Sequence, residues 1–168
     1  MDIHADIHVR PLRRDEAEVL DRVFAGLSPQ SRHLRFHSPI PQLTAPVRRA
    51  LLAVDGRDHV ALVAMARGEP VGIARLIRDP VRSHEAEIAF EVVDAWQRRG
   101  VGRRLMIALM EALQDRRGKV VESDVLATNR NMLDFVTRLG FEIRPHPELP
   151  HAKRVRRKLR QRETPVLP

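Results

Sequence analysis

The sequence predicts an α/β domain of the α+β kind: one mixed central sheet of six or seven strands flanked by about four helices. Three observations carry that expectation. Short apolar runs alternate with segments whose apolar residues recur at helical spacing, in the order strand, two or three helices, three antiparallel strands, helix, strand, helix, strand. Two of the runs, residues 60–65 and 71–77, are separated by Gly68-Glu69-Pro70, a hairpin signature. A third run, Ile88 to Val93, leads through two closely spaced glycines straight into a helical pattern. At 168 residues the chain is one domain, long enough to bury most of its apolar surface.

Each element follows from local chemistry. Asp6-Ile7-His8-Val9-Arg10 alternates and predicts a first strand. A helix is expected over residues 14–26, because Ala17, Leu20, Val23, Phe24 and Leu27 share one face. Ser28-Pro29 reads as N-cap and first-turn proline of a short helix ending at Phe36. The run Ser38-Pro39-Ile40-Pro41 breaks it, and a second short helix is expected over residues 46–54. Residues 58–67 and 71–77 form the hairpin strands, with the turn at Gly68-Glu69-Pro70. The next strand is expected over residues 84–94. A helix over 102–117 should bury Leu105, Ile107, Ala108, Leu109, Ala112 and Leu113, with Gly118 as its C-cap. Residues 120–126 read as a strand, 129–139 as a helix ended by Gly140, and Phe141-Glu142-Ile143 as the start of a last hairpin. Residues 153–159 read either as a final strand, with Val155 and Leu159 on one face, or as a basic tail. Pro145, Pro147 and Pro150 make a stiff connector before them, and residues 161–168 look like a free end.

Composition bounds the function. The chain has no cysteine, which excludes disulfides, thiolate metal sites and a cysteine nucleophile. No apolar run approaches a membrane span and the start has no signal-peptide pattern, so a cytoplasmic protein without a membrane partner is expected. Net charge is +8, and residues 151–168 hold seven Lys/Arg against one Glu, so the body is nearly balanced. That basic stretch lacks interleaved aromatics, and nucleic acid is not the expected partner. His33, His37, His59 and His84 are scattered without ligand spacing, so they read as surface or capping residues and no metal is expected.

Val92-Val93-Asp94-Ala95-Trp96-Gln97-Arg98-Arg99-Gly100-Val101-Gly102-Arg103-Arg104 is the stretch that carries chemistry. A strand, a glycine turn and a helix N-terminus leave several backbone N–H groups pointing one way, an anion site suited to a pyrophosphate. It is not a Walker loop, which ends in Gly-Lys-Ser/Thr. It is not a Rossmann fingerprint either, because Leu105 stands where the third glycine belongs. Gln97-Arg98-Arg99-Gly100-Val101-Gly102 instead resembles the acyl-CoA loop, Gln/Arg-x-x-Gly-x-Gly/Ala, of the GNAT N-acetyltransferases. Residues 129–142, from Asn129-Arg130-Asn131 to Leu139-Gly140-Phe141-Glu142, resemble that family's Asn-x-x-Ala-Ile-x-Leu-Tyr-x-x-x-Gly-Phe helix, in the right order and at the right distance. Residues 27–36 and 54–64 are similar to the GNAT module of bacterial protein lysine acetyltransferases of the Pat type.

The resemblance implies a single GNAT-like acetyltransferase domain over residues 1–150, followed by the basic strand or tail, 151–168. It implies acetyl-CoA as co-substrate and a primary amine, a protein lysine or a small amine, as acceptor. The linked short helices of the N-terminal half would wall the acceptor side. Backbone of Val92 and Val93 would pair with the pantetheine arm, and Gln97, Arg98, Arg99, Gly100, Val101, Gly102 and Arg103 would take the pyrophosphate. Asn129 would touch the cofactor arm. A lysine amine, with a free pKa of about 10.4, arrives protonated and needs a base. Ala86-Glu87-Ile88-Ala89-Phe90 resembles the strand carrying the family's glutamate base, which points to Glu87. Glu91 is the second candidate, on the same strand face about 13 Å away if the strand is unbroken. Many family members carry a tyrosine acid where this chain has Val136, and the chain has no tyrosine, so water or the amine itself would protonate the thiolate. A homodimer is an assembly the resemblance allows. The competing functions are a small-amine N-acetyltransferase and an acyl-CoA-binding module without turnover.

Overall fold

The apolar runs assemble into seven strands, hydrogen-bonded in the order β1-β2-β3-β4-β5-β7-β6. The computed structural model describes residues 7–82, 84–114 and 120–159. The elements are β1 (Ile7–Pro11), α1 (Ala17–Ala25), α2 (Pro29–Phe36), α3 (Ala45–Leu52), β2 (His59–Ala66), β3 (Glu69–Arg78), β4 (Glu85–Val92), α4 (Val101–Gln114), β5 (Val120–Leu126), α5 (Arg130–Arg138), β6 (Glu142–Pro145) and β7 (Ala152–Lys158). A short 3-10 turn, Asp94–Trp96, follows β4. The sheet is mixed: β4 and β5 pair in parallel, whereas β1–β2, β2–β3, β5–β7 and β6–β7 are antiparallel. This is the expected α/β architecture, with five α-helices among the described residues where the sequence predicts about four. The chain divides into two compact units, Met1–Ile77 with Ile88–Leu109 and Arg78–Glu87 with Met110–Pro168.

In the first unit both faces of β2 and β3 are covered, so these strands are buried almost end to end. One core gathers Leu20, Val23 and Phe24 of α1 with Val54, Ala61, Val63 and Ile73, and Val47 and Leu51 of α3 pack on it. The opposite face meets α4, where Val101 and Leu105 lie 3.3 and 3.1 Å from the place a Cβ on Gly72 would occupy. The buried residues of α4 within this unit are Val101, Leu105, Met106 and Leu109. Ile107, expected in the core, is 41% exposed, because Met106 takes the inward position that helical phase denies its neighbour. The β2–β3 turn also differs from expectation. Arg67 and Gly68 are its two left-handed residues, at φ 53 and 78, so Glu69 and Pro70 already belong to β3. A register shift between Ala64 and Met65 brings Pro70 opposite Met65.

In the second unit β5 lies between β4 and β7, and β7 lies between β5 and β6. Its buried strand residues include Ala86, Val120, Val121, Val125, Leu126, Ala152 and Val155. The basic segment is therefore strand over Ala152–Lys158, and its arginines are used inside the sheet. Arg154 meets Asp124 at 2.7 Å, and Arg156 meets Glu85 at 2.7 Å. Pro145 is the last residue of β6, opposite Lys153. The expected strand residue Asp6, the C-cap Gly118, the helix positions 115–117 and the free end 161–168 lie outside the described residues.

Candidate active site

The C-terminal end of β4 and the turn after it form an open edge in the first unit. Val93 N–H donates to Val71 O on β3 at 3.0 Å, and Asp94 N–H donates to Gly26 O after α1 at 3.1 Å. Gln97 folds back, its Nε2 donating to Val92 O at 3.1 Å and to Asp94 Oδ1 at 3.2 Å. Arg98 and Gly100 are left-handed, at φ 59 and 84, which turns the chain sharply into α4. Nothing lies within 4 Å of the position a Cβ on Gly100 would take, so this side of the turn is open to a ligand. Arg104 N–H closes the first turn of α4 on Gly100 O at 3.1 Å. The N–H groups just before it have no carbonyl inside the helix to meet. Exposed Gln97, Arg98, Arg99 and Arg103 surround them, and half-buried Gly102 lies between. The arrangement fits a diphosphate: backbone donors, partial positive charge and close approach without side chains. Arg104 itself is turned away, its Nη1 donating to Ile7 O at 2.7 Å. Val101 is buried and contributes only backbone. Trp96 is half-buried, with the Arg99 guanidinium 5.5 Å from its ring centre.

Glu91 is the next residue back along β4, and its surroundings were not legible as a site. Its side chain is 4% exposed and both oxygens face guanidinium groups. Oε2 is 2.6 Å from Arg35 Nε on α2, and Oε1 is 3.5 Å from Arg75 Nη2 on β3. Arg75 is 2% exposed and also donates from Nη1 to Leu51 O at 2.8 Å. Burial pulls Arg75 below the ordinary arginine value, and the Glu91 carboxylate holds it up. Sequence reasoning missed Arg35 and Arg75, yet a signal existed. Arg75 interrupts the apolar run Ile73-Ala74-Arg75-Leu76-Ile77 and Glu91 interrupts Phe90-Glu91-Val92, and opposite charges inside two apolar strands call for each other.

His59, expected at the surface, is half-buried at the start of β2, and its Nε2 has no hydrogen-bond partner among the described residues. Burial pushes it below the ordinary imidazole value, Arg75 adds to the shift, and Asp55 opposes it. The Asp55 carboxylate accepts the backbone N–H groups of Arg57, Asp58 and His59, which hold it down at about 2. His37 is the left-handed C-cap of α2. His33 and His84 are exposed.

In the second unit, Glu87 is exposed on β4 and stands in register with Glu122 of β5. Two residues earlier, Glu85 is buried against Arg156 and lies 2.8 Å from Arg82. Asn129 caps α5, its Oδ1 accepting Met132 N–H at 3.2 Å. Val136 is 2% exposed within α5, so that position belongs to the core and offers no acid.

Comparison with known proteins gives this geometry a family. The model of the acetyltransferase (GNAT) family matches residues 27–141. An acetyltransferase of Pseudomonas aeruginosa is 30% identical over 137 residues, 79% of this chain and 73% of that protein. Acetyltransferase Pat of Mycolicibacterium smegmatis is 30% identical over 135 residues, and the matched region spans 40% of its length. The crystal structure of the GNAT domain of S. lividans PAT superposes with a TM-score of 0.85 at 28% identity, covering 91% of this chain and 90% of that one. No helix among the described residues is long and apolar enough to cross a membrane. The turn, the helix that follows it and the extent of these matches lead to one conclusion: the chain belongs to the acetyltransferase (GNAT) family, enzymes that draw their acetyl group from acetyl-CoA.

Proposed function

We propose that this acetyltransferase acetylates the side-chain amine of protein lysines by direct attack, with Glu87 as general base. One observation carries the assignment of the base. Of the three glutamates on β4, Glu85 and Glu91 are buried in arginine ion pairs, and Glu87 alone is exposed. A base must be reached by an incoming amine, and a buried carboxylate already paired with guanidiniums is poorly placed for that. The resemblance of residues 27–36 and 54–64 to the GNAT module of Pat-type protein lysine acetyltransferases supports a protein acceptor.

Bound acetyl-CoA supplies an acyl carbonyl and a thiolate leaving group. The Val92 backbone and the Val93 carbonyl hold the pantetheine arm, since Val93 N–H is committed to Val71 O. Backbone N–H groups from Arg98 to Arg103 hold the diphosphate, and the family resemblance assigns Asn129 a contact with the arm. Glu87 takes the proton of the lysine ammonium, directly or through one water. The freed nitrogen bonds to the acyl carbon as the C–S bond breaks, and the surplus proton left on that nitrogen passes through water to the thiolate sulfur. Val136 removes the tyrosine route for that last proton.

The test is free-thiol release from acetyl-CoA with a panel of lysine-bearing proteins and small amines, alongside Glu87→Gln. The expected result is turnover on proteins that falls by at least about 10²-fold in the variant. Turnover confined to small amines overturns the acceptor class. Tight acetyl-CoA binding without turnover on any amine overturns the catalytic reading.

A further inference from the structure

We infer that Arg35, Glu91 and Arg75 act together as a positioning device for the cofactor-binding end of β4. The inference rests on the reading that the backbone at Val92 and Val93 meets the pantetheine arm. Glu91 immediately precedes that backbone. Its carboxylate is divided between Arg35 of α2, at 2.6 Å, and Arg75 of β3, at 3.5 Å. Arg75 continues the chain of contacts to Leu51 O at the end of α3, at 2.8 Å.

The next two residues are held in the same directions. Val93 N–H is fixed on Val71 O of β3, and Asp94 N–H on Gly26 O behind α1. Gly26 leaves room for this, because a Cβ there would fall 2.7 Å from Val93 Cγ1. Gln97 then ties the start of the phosphate turn back to Val92 O and reaches Ser31 Oγ of α2 at 3.5 Å. Residues 91–97 are thus clamped between β3 on one side and the α1–α2 segment on the other.

The physical argument concerns direction rather than stability. Burying two guanidiniums and a carboxylate costs desolvation that an apolar trio of equal volume avoids, so the triad is a poor device for stability alone. An apolar trio also lets the strand end rotate or slide by fractions of an ångström. A carboxylate hydrogen-bonded to Arg35 at 2.6 Å, with the Arg75 guanidinium in ion-pair range of its other oxygen at 3.5 Å, is held in one direction. Backbone that must pair with a ligand loses affinity with small misplacement. Glu91 is accordingly a positioning residue, and its effect is exerted through Val92 and Val93.

The experiment compares Glu91→Gln, Arg35→Lys and the paired apolar change Arg75→Met with Glu91→Leu. Three readouts are taken: acetyl-CoA dissociation constants by calorimetry, amide hydrogen exchange in the ligand-free protein, and kcat and KM against pH. Glu91→Gln and Arg35→Lys are expected to raise the acetyl-CoA Kd and KM roughly tenfold, with kcat within about threefold and an unchanged pH profile. The amides of Val93 and Asp94 should exchange faster, while those of Leu105 and Leu109 do not change. The apolar pair removes the two most buried charges of the triad, Glu91 and Arg75, leaves only the more exposed Arg35, and should fold, yet still bind acetyl-CoA weakly. Wild-type affinity in the apolar pair, or unchanged affinity and exchange in Glu91→Gln, overturns the inference. If Glu91→Gln removes turnover and the acid limb of the pH profile while Glu87→Gln keeps both, Glu91 is the base and both readings fall. Affinity and exchange decide this inference even where no acceptor turns over, which separates its failure from failure of the proposed function.

Discussion

Gly72 shows how little room single residues have around the strand end. A Cβ there would lie 2.9 Å from Glu91 O, a backbone atom that cannot swing aside, and 3.1 Å from Leu105 Cδ1. Gly72→Ala is therefore expected to destabilise the protein by about 1–3 kcal/mol in urea titration. Gly100 has the opposite problem: space is open, but φ is 84. Gly100→Ala should cost about 1 kcal/mol in stability and weaken acetyl-CoA binding measured by calorimetry. His59 gives a pH signature. Its folded value lies below the ordinary 6.5, so the unfolded chain binds the proton more readily. Its contribution is complete above 6.5 and lost as pH falls below that value. Urea midpoints at pH 7.5 and 5.5 should differ in the wild type, and His59→Asn should narrow the difference. At this scale the sequence points to Glu87 because its neighbours in sequence resemble a known strand. The partners of Glu91 were not, because Arg35 and Arg75 stand 56 and 16 positions away.

Elements were legible where a cap or a strong period marks them. Ser28 accepts Ser31 N–H, with Pro29 in the first turn, as the sequence predicts. The boundaries of β5 and the existence of α4 and α5 likewise follow from pattern. The β2–β3 turn was misplaced because Gly68-Glu69-Pro70 has turn composition, while the left-handed site falls to Arg67, a residue type that does not announce it. Asn129 holds two expectations at once, helix cap and cofactor contact, and substitution separates them. Asn129→Asp should keep the cap and the thermal midpoint, whereas Asn129→Ala should lose about 1 kcal/mol. If Asn129→Asp also binds acetyl-CoA as the wild type does, the cofactor contact is wrong.

For the whole molecule the consequential strand is β7. It pairs with β5 along its full length and with β6 on its other edge. Truncation after residue 150 should abolish cooperative unfolding followed by near-UV dichroism, because it removes a strand from inside the sheet and leaves Asp124 and Glu85 without Arg154 and Arg156. A basic C-terminal segment read by charge alone suggests a solvated tail. The sheet turns the same residues into cross-strand partners, and charge count carries no information about which neighbour supplies the opposite sign.

The sequence by itself determined the family, the α/β class, the order of the elements and the glycine turn before α4. Each of these is written in local pattern: strand alternation, helical period, caps and the spacing of Gly100 and Gly102. Tertiary structure alone decided that Glu91 is bound between Arg35 and Arg75 and that β7 lies between β5 and β6. It also set which face of α4 is buried. Those outcomes depend on which distant residues share a burial environment, and the price of leaving a buried charge unpaired is settled only when the strands have met.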